Sequence, residues 1–324
     1  MSLRTAILPL LERFFRKGGI LGYHGVVEQD VPSPEMHVSL ATLSAQLEYL
    51  RDRYDVISLR DLVRRRIDGR SLDGCVAITF DDAYAGIEQL AAPLLARLDL
   101  PATVFVTVNA AMIGASFWWD RLELARRNGP ETCWPGALAQ LGLEVMPPSP
   151  AALSVTREHI LTRHAGRLDA QQMNVAEPPN GLLRSMDFEA LGRLARDDRF
   201  EFGSHTLTHP ALPFLSSGEQ HREMVHARRC LEERLPRIVP VVAYPFGLYD
   251  RTTLREAASA GFHAGVTMQA RALTRGDLAL ALPRVGVSED WSSSAIAFRL
   301  NAGMSPLFRA KGGTHPRLPS PVSN

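Results

Sequence analysis

Short apolar runs recur along the chain, and each is followed by turn residues and then by a segment with helical periodicity. The apolar runs predict strands near residues 19–24, 75–80, 102–108, 200–205, 238–245, 263–268 and 282–287. The helical patterns lie near residues 40–53, 58–67, 84–98, 187–197, 217–234 and 250–260. This alternation predicts an α/β protein with a parallel sheet covered by helices, and the number of strands favours a closed or nearly closed barrel over an open sheet.

The alternation breaks between about residues 110 and 186. This segment has scattered Gly and Pro and helical patches without a convincing strand, so we interpret it as a mainly helical insertion between two barrel units. The tail GGTHPRLPSPVSN, residues 312–324, has the composition of a disordered segment. We therefore expect residues 1–311 to form a single domain that contains the insertion.

Composition and charge exclude several classes of function. Of the 324 residues, 45% are hydrophobic, which is enough for a full core. The 36 Lys and Arg against 35 Asp and Glu give a formal charge of +1, so no nucleic acid or other polyanionic partner is indicated. The three cysteines are odd in number and outside any CxxC pattern, which predicts neither a disulfide framework nor a zinc knuckle and fits a reducing compartment.

The N-terminal residues lack the charged start, long apolar core and small-residue cleavage site of a secretory signal. No window is long enough and apolar enough to span a bilayer. We therefore expect a cytoplasmic protein. An apolar stripe along residues 3–15 predicts a helix that packs against the domain, with peripheral contact to a membrane surface as the alternative.

Two pairs of polar side chains carry the candidate chemistry. Asp81 and Asp82 stand side by side where the strand 75–80 ends, which on its own also fits a solvated turn or a helix N-cap. His205 and His209 follow another strand, and a helical turn would put both imidazoles on one side. Both pairs fall at the strand ends that hold active sites in (β/α) barrels. Two imidazoles and one carboxylate make a three-ligand metal site, and the metal supplies the positive charge that paired carboxylates need.

Three motifs resemble those of a known family. TFDD (79–82), SHTLTH (204–209) and YPFG (244–247), in this order and at successive strand ends, resemble the first three signature motifs of polysaccharide deacetylases, the NodB-homology or carbohydrate esterase family 4 enzymes. The likeness covers roughly residues 19–110 and 187–287. It implies a distorted (β/α)7 barrel and a metal-dependent hydrolase that removes N-acetyl groups from amino sugars of a polysaccharide or glycan precursor.

The resemblance also implies roles for single residues. Asp82, His205 and His209 would bind one divalent ion, with zinc favoured, and Asp81 would be the general base. This division agrees with general chemistry, because a bound divalent ion lowers the pKa of water towards about 7 and an adjacent free carboxylate can take the proton. In the family, a Tyr in the third motif contributes its backbone N–H to the oxyanion hole, and Phe246 replaces that Tyr here.

The sequence departs from the family pattern in two ways. The Arg that usually begins the third motif is missing, and we expect Arg284 to tether Asp81 in its place, with a surface or salt-bridging Arg as the alternative. A late Leu-x-His motif is also missing. His24 ends the first strand, as does the early acid of exopolysaccharide poly-N-acetylglucosamine deacetylases, so it is the expected general acid. A merely packed His24 is the alternative, and His263 is the lesser rival because it begins its strand.

The insertion carries Trp118 and Trp119, which either stack on sugar rings or anchor the insertion to the barrel, with anchoring favoured. The leading hypothesis therefore has an N-acetylated glycan as its substrate. One alternative is hydrolysis of another C–N amide bond, in a formyl-sugar or a cyclic ureide, on the same barrel. The other is a non-catalytic glycan-binding relative, against which the complete set of two Asp and two His residues argues.

Overall fold

A parallel sheet forms the centre of the protein in the computed structural model, which describes residues 17–128, 133–168 and 181–301. The strands are β1 (Gly19–Tyr23), β2 (Val26–Val27), β3 (Val38–Ser39), β4 (Asp55–Val56), β5 (Cys75–Phe80), β6 (Ala102–Val106), β7 (Phe200–Ser204), β8 (Ile238–Ala243), β9 (Ala264–Val266) and β10 (Val285–Gly286). β2 and β3 pair with each other, and the other strands form one sheet with parallel pairing throughout.

The sheet curls into a distorted barrel. Its order is β10-β1-β5-β6-β7-β8-β9, with β4 added beside the start of β5. Val266 in β9 forms a parallel bridge with Leu282, and Val285 in β10 pairs with Leu21 in β1. The short segment from residue 282 to 286 therefore contacts the last strand at its start and the first strand at its end. This arrangement confirms the predicted (β/α)7 class.

Helices follow most strands and cover the sheet. They are α1 (Leu40–Arg53), α2 (Leu59–Ile67), α3 (Ala92–Leu98), α4 (Val108–Ile113), α5 (Trp118–Asn128), α6 (Cys133–Gln140), α7 (Pro150–His164), α8 (Phe188–Leu194), α9 (Ser217–Arg234), α10 (Arg251–Ser259) and α11 (Ser293–Asn301). Side-chain caps fix several starts: Ser39 accepts the backbone N–H of Thr42, and Asp187 accepts that of Ala190.

The barrel strands are buried on both faces, as parallel strands between two layers require. Successive side chains of one strand point to opposite faces, so they fall into two apolar clusters. Ile20 and Phe105 belong to one cluster, whereas Leu21 and Val104 belong to the other. Continuous apolar runs such as CVAITF in β5 reflect this double burial.

The segment predicted as an insertion is mainly helical and contains most of α4 and all of α5, α6 and α7. Two isolated antiparallel bridges fasten its ends, one between Tyr84 and Ser185 and one between Ser116 and Arg184. The predicted strand 102–108 ends earlier, at Val106, because α4 begins at residue 108.

Some predictions concern parts of the chain that the structure does not describe. The apolar stripe along residues 3–15 and the tail 312–324 both lie outside the described residues. Among the helices that are described, none combines the length and the apolar character needed to cross a membrane.

Candidate active site

Both predicted motifs end strands at the same edge of the sheet. Asp81 and Asp82 directly follow β5, and His205 directly follows β7. Backbone hydrogen bonds hold these turns to the neighbouring strands: the Asp81 N–H donates to the Tyr23 carbonyl and the His205 N–H donates to the Val106 carbonyl, both at 2.9 Å. The parallel direction of the strands brings the two turns together, as the sequence pattern predicted.

Asp82, His205 and His209 each place one potential ligand atom within 4.8 Å of the others. Asp82 Oδ1 lies 3.7 Å from His205 Nε2 and 3.5 Å from His209 Nε2, and the two nitrogens are 3.1 Å apart. Ligand atoms about 2.0–2.2 Å from a tetrahedral zinc ion would lie about 3.4 Å from one another. The spacing is therefore that of one ligand set, and no other such group occurs in the part of the chain that the structure describes.

Hydrogen bonding leaves one candidate ligand atom available on His205 and one on Asp82. His205 Nδ1 lies 2.8 Å from the Ala243 carbonyl, which assigns the proton to Nδ1 and the lone pair to Nε2. Asp82 Oδ1 is buried and has no hydrogen-bond partner. A buried carboxylate oxygen that no donor satisfies is costly unless a cation contacts it. The donor set and its protonation thus fit a divalent metal ion.

The charges around this cluster also favour a bound cation. Burial, together with the neighbouring carboxylates of Asp81 and Asp120, raises the pKa of Asp82 well above its usual range. Burial lowers the pKa of His205, and burial together with the nearby His205 holds the pKa of His209 well below its usual range. Three carboxylates against the single guanidinium of Arg284 would leave two excess negative charges, which one divalent cation would cancel.

Arg284 binds Asp81 through two parallel hydrogen bonds. Nη1 donates to Oδ1 and Nη2 to Oδ2, each at 2.6 Å, and the Arg284 side chain is only 1% exposed. A Cβ at Gly22 would lie 3.1 Å from Arg284 Nε, so a larger residue at this position would crowd the guanidinium group. Burial alone would raise the pKa of Asp81, but Arg284, His205 and His24 outweigh it and hold that pKa below its usual range. The structure thus brings together the pair that the sequence suggested.

His24 also reaches Asp81, with Nε2 at 3.8 Å from Oδ2. Burial lowers the pKa of His24 to about 4, against the opposite pull of Asp81. Loss of hydration outweighs the effect of this one carboxylate on the His24 pKa, because Arg284 already neutralises Asp81. The rival His263 is exposed and its backbone N–H donates to the Pro240 carbonyl, three residues before β8 ends, so it lies away from the edge that carries Asp81 and His205.

Backbone strain is concentrated at this edge. Nine residues other than glycine have a positive φ among those described, and five of them belong to the site. These five are Asp82, Ala83, Thr206, His209 and Phe246. Each left-handed residue of this kind costs on the order of 1–3 kcal/mol, and such strain is typical of functional sites. At Phe246, φ is 58°, and its ring centroid lies 4.7 Å from that of His209.

The tryptophans of the insertion are anchors. Trp118 and Trp119 are each 4% exposed, and their indole N–H groups donate to the Gly166 carbonyl and to Tyr84 Oη. The Trp119 ring lies 4.8 Å from that of His209. Rings buried to this extent present no face to a sugar, so the structure supports anchoring rather than stacking on substrate.

Glu223 was not predicted from the sequence, although it fastens the HTLTH turn. Its buried carboxylate on α9 accepts the backbone N–H groups of Leu207 (3.0 Å) and Thr208 (2.8 Å), the Thr208 hydroxyl (2.7 Å) and Arg167 Nη2 (3.0 Å). These bonds hold the strained turn between the two histidines. A glutamate in a polar helix gives no sequence signal of such a role, because most are exposed.

Comparison with known proteins identifies the family. The family model for polysaccharide deacetylases matches residues 68–133 and 163–265, just over half of the chain. The unmatched stretch between them lies within the insertion. The Bacillus subtilis (strain 168) protein YxkH, whose name places it among polysaccharide deacetylases, is 24% identical over 278 residues, which cover 85% of this chain and 73% of YxkH. The chain belongs to the polysaccharide deacetylase family, a family of hydrolases.

Solved structures of similar fold agree. The Streptococcus pyogenes deacetylase PplD, solved with acetate, has a TM-score of 0.59 at 21% identity, over 88% of this chain and 99% of PplD. A de-N-acetylase from Aggregatibacter actinomycetemcomitans has a TM-score of 0.58 at 16% identity, over 88% of this chain and all (100%) of that one. IcaB from Ammonifex degensii has a TM-score of 0.57 at 20% identity, over 87% and 96%. These similarities support the fold.

Proposed function

We propose that this protein is a metal-dependent deacetylase that removes N-acetyl groups from amino sugars of a polysaccharide or glycan precursor. The observation that carries the proposal is that two adjacent carboxylates differ in their hydrogen bonding. Asp82 faces two imidazole nitrogens with an unsatisfied oxygen, whereas Asp81 is held by Arg284 beside them. One carboxylate is arranged to hold a cation and the other to act on a proton.

Zinc is the favoured metal, with Asp82, His205 and His209 as its protein ligands. Two imidazoles and one carboxylate with room for water are typical of catalytic zinc. When bound, the ion would polarise the amide carbonyl and make a water molecule acidic enough to lose a proton near neutral pH.

Asp81 is the proposed general base. Its two oxygens are fixed by Arg284, so the carboxylate is ionised before the reaction starts and keeps one orientation. Arg284 acts as a positioning residue, because it contacts Asp81 rather than the substrate. Phe246, whose left-handed backbone lies beside His209, is proposed to offer its N–H to the developing oxyanion.

His24 is the proposed proton donor to the leaving amine. With a pKa of about 4, its imidazole is neutral at pH 7 before the reaction starts. It must therefore receive a proton during the reaction, and Asp81 Oδ2 is 3.8 Å away. We propose that the proton taken up by Asp81 passes to His24 and then to the amine, which is too basic to leave without it.

Acetate release tests the proposed activity. Protein treated with a chelator should release no acetate from an N-acetylglucosamine tetramer, and one equivalent of zinc should restore the release. N-formylglucosamine and a cyclic ureide, each offered separately, test the other amide substrates. Zinc binding at one site without hydrolysis of any of these amides would instead indicate a glycan-binding protein.

Replacing His24 with Ala should lower kcat by about 100-fold while zinc stays bound, because only the donor is removed. His263→Ala is the matched control, because this exposed residue directly precedes β9 and so lies at the amino end of a strand, away from the site. It should keep wild-type kcat. The measurement is steady-state acetate release together with zinc content. Wild-type kcat in His24→Ala would assign the donor elsewhere.

The low pKa of His24 also predicts a pH effect on stability. The unfolded chain binds a proton at His24 near pH 6.5, whereas the folded protein does so only near pH 4. The metal-free protein should therefore lose stability as pH falls from 6.5 to 4, by at most about 3 kcal/mol from this residue. His24→Gln should show a smaller loss in urea unfolding over this range, and identical pH profiles would contradict the burial effect.

A further inference from the structure

A buried hydrogen-bond network joins the insertion to the catalytic edge. Asp120, in the first turn of α5, accepts a hydrogen bond from Tyr84 Oη at 2.7 Å through Oδ2. Its Oδ1 lies 2.7 Å from His37 Nε2. Asp120 is 2% exposed, and His37 and Tyr84 are fully buried, so water does not compete for these bonds.

One arm of the network ends beside His24. The backbone N–H of Gly25 donates to His37 Nδ1 at 3.2 Å, which assigns the remaining ring proton to Nε2, where it donates to Asp120. A Cβ at Gly25 would lie 2.4 Å from His37 Nδ1, so the close approach requires glycine. Because Gly25 directly follows His24, this arm fixes the backbone from which the proposed proton donor projects.

The other arm ends beside the proposed metal ligand. Tyr84 follows Asp82 by two residues, and the two residues before Tyr84, Asp82 and Ala83, have φ values of 64° and 52°. Such a turn persists only when its surroundings hold it. Tyr84 Oη accepts the Trp119 indole N–H at 2.8 Å and donates to Asp120, so both of its hydrogen-bonding roles are used.

We infer that Asp120 is a positioning residue that holds the His24 turn and the Asp82 turn in one fixed arrangement. The inference rests on the proposed function and extends it to the insertion, which supplies this carboxylate. The side-chain hydrogen bonds of Asp120 go to His37 on one side and to Tyr84 on the other, so it acts on the two turns through these residues.

Three variants test the two arms separately. Asp120→Ala removes both, Asp120→Asn keeps the shape but replaces one acceptor with a donor, and Tyr84→Phe removes one hydroxyl. Hydrogen exchange of the metal-free proteins is followed in peptides covering residues 20–27 and 79–86. Asp120→Ala should speed exchange at least tenfold in both peptides, whereas Tyr84→Phe should do so only in 79–86.

Kinetics give the second readout. Asp120→Ala should lower kcat for acetate release by at least 30-fold, with KM for the N-acetylglucosamine tetramer changed less than threefold, because geometry rather than binding is lost. Asp120→Asn should retain more activity than Asp120→Ala. Glu123→Gln is the matched control: Glu123 is a buried carboxylate on the same helix that pairs with Arg126 and takes no part in the network. It should match the wild type in both readouts.

The outcomes separate this inference from the proposed function. If the wild-type protein binds zinc but releases no acetate, the proposed function fails, and exchange at the two turns still decides the role of Asp120. If Asp120→Ala does not fold, Asp120→Asn and Tyr84→Phe decide it. Wild-type exchange and kcat in both of these variants would overturn the inference, as would equal losses in Glu123→Gln.

Discussion

Asp81→Asn is expected to lower kcat for acetate release by about 1,000-fold while the protein still binds one zinc ion. The amide cannot accept the proton from the attacking water, and loss of a positioned base costs about 100- to 10,000-fold. Zinc should remain because the proposed ligand atoms belong to Asp82, His205 and His209. The measurements are acetate release and zinc content of the same samples.

Asp82→Asn is the matched comparison, since it makes the same chemical change at the adjacent residue. Here zinc affinity should fall strongly, because a neutral amide replaces the carboxylate that faces both imidazoles. Activity should then return in part at high zinc concentration, which cannot occur in Asp81→Asn. Equal loss of zinc in both variants would show that the two carboxylates do not have separate roles.

The barrel could be predicted because its strands are continuous apolar runs between turn residues. Each predicted apolar run contains a strand, although the run at 282–287 contains only the two-residue strand β10. The two-residue strands β2, β3 and β4 were missed, since they are too short to show periodicity. The candidate ligands were also accessible to sequence reasoning, because the ends of parallel strands meet at one edge regardless of their separation in the chain.

The remaining parts of the site depend on tertiary packing. Asp120 lies in an irregular insertion, and His37 lies in a loop after β2, so no motif or spacing relates either residue to Tyr84. The low pKa of His24 could not be predicted either, because the extent of burial is a property of the folded protein. Sequence patterns located the strand ends, but they could not show which side chains pack behind them.

The pair of Arg284 and Asp81 yields the largest expected effect on stability. Arg284→Met should lower the free energy of unfolding of the metal-free protein by about 3–5 kcal/mol at pH 7, because it leaves a buried carboxylate without its partner. Arg284→Lys should recover only part, since an ammonium group cannot form both parallel hydrogen bonds. Urea unfolding measures these differences.

Arg193→Met is the control for loss of an arginine ion pair. Arg193 pairs with Glu88 at 2.8 Å, but its side chain is 47% exposed, so water and salt screen the pair and its loss should change the free energy of unfolding little. A loss as small as this in Arg284→Met would contradict the stabilising role of the buried pair.

The double variant Arg284→Met/Asp81→Asn gives the sharpest test, because it removes the stranded charge together with its partner. It should be more stable than Arg284→Met alone, so the two substitutions should be clearly non-additive.

The pH dependence of stability should give the same answer. In the wild type Arg284 holds the pKa of Asp81 low, so the stability from this carboxylate is present at neutral pH and is lost only in strong acid. In Arg284→Met burial would instead raise that pKa, and protonation would relieve the destabilisation as pH falls. The difference between the wild type and Arg284→Met should therefore shrink from pH 7 towards pH 4, and a constant difference would show that lost packing rather than the unpaired charge causes it.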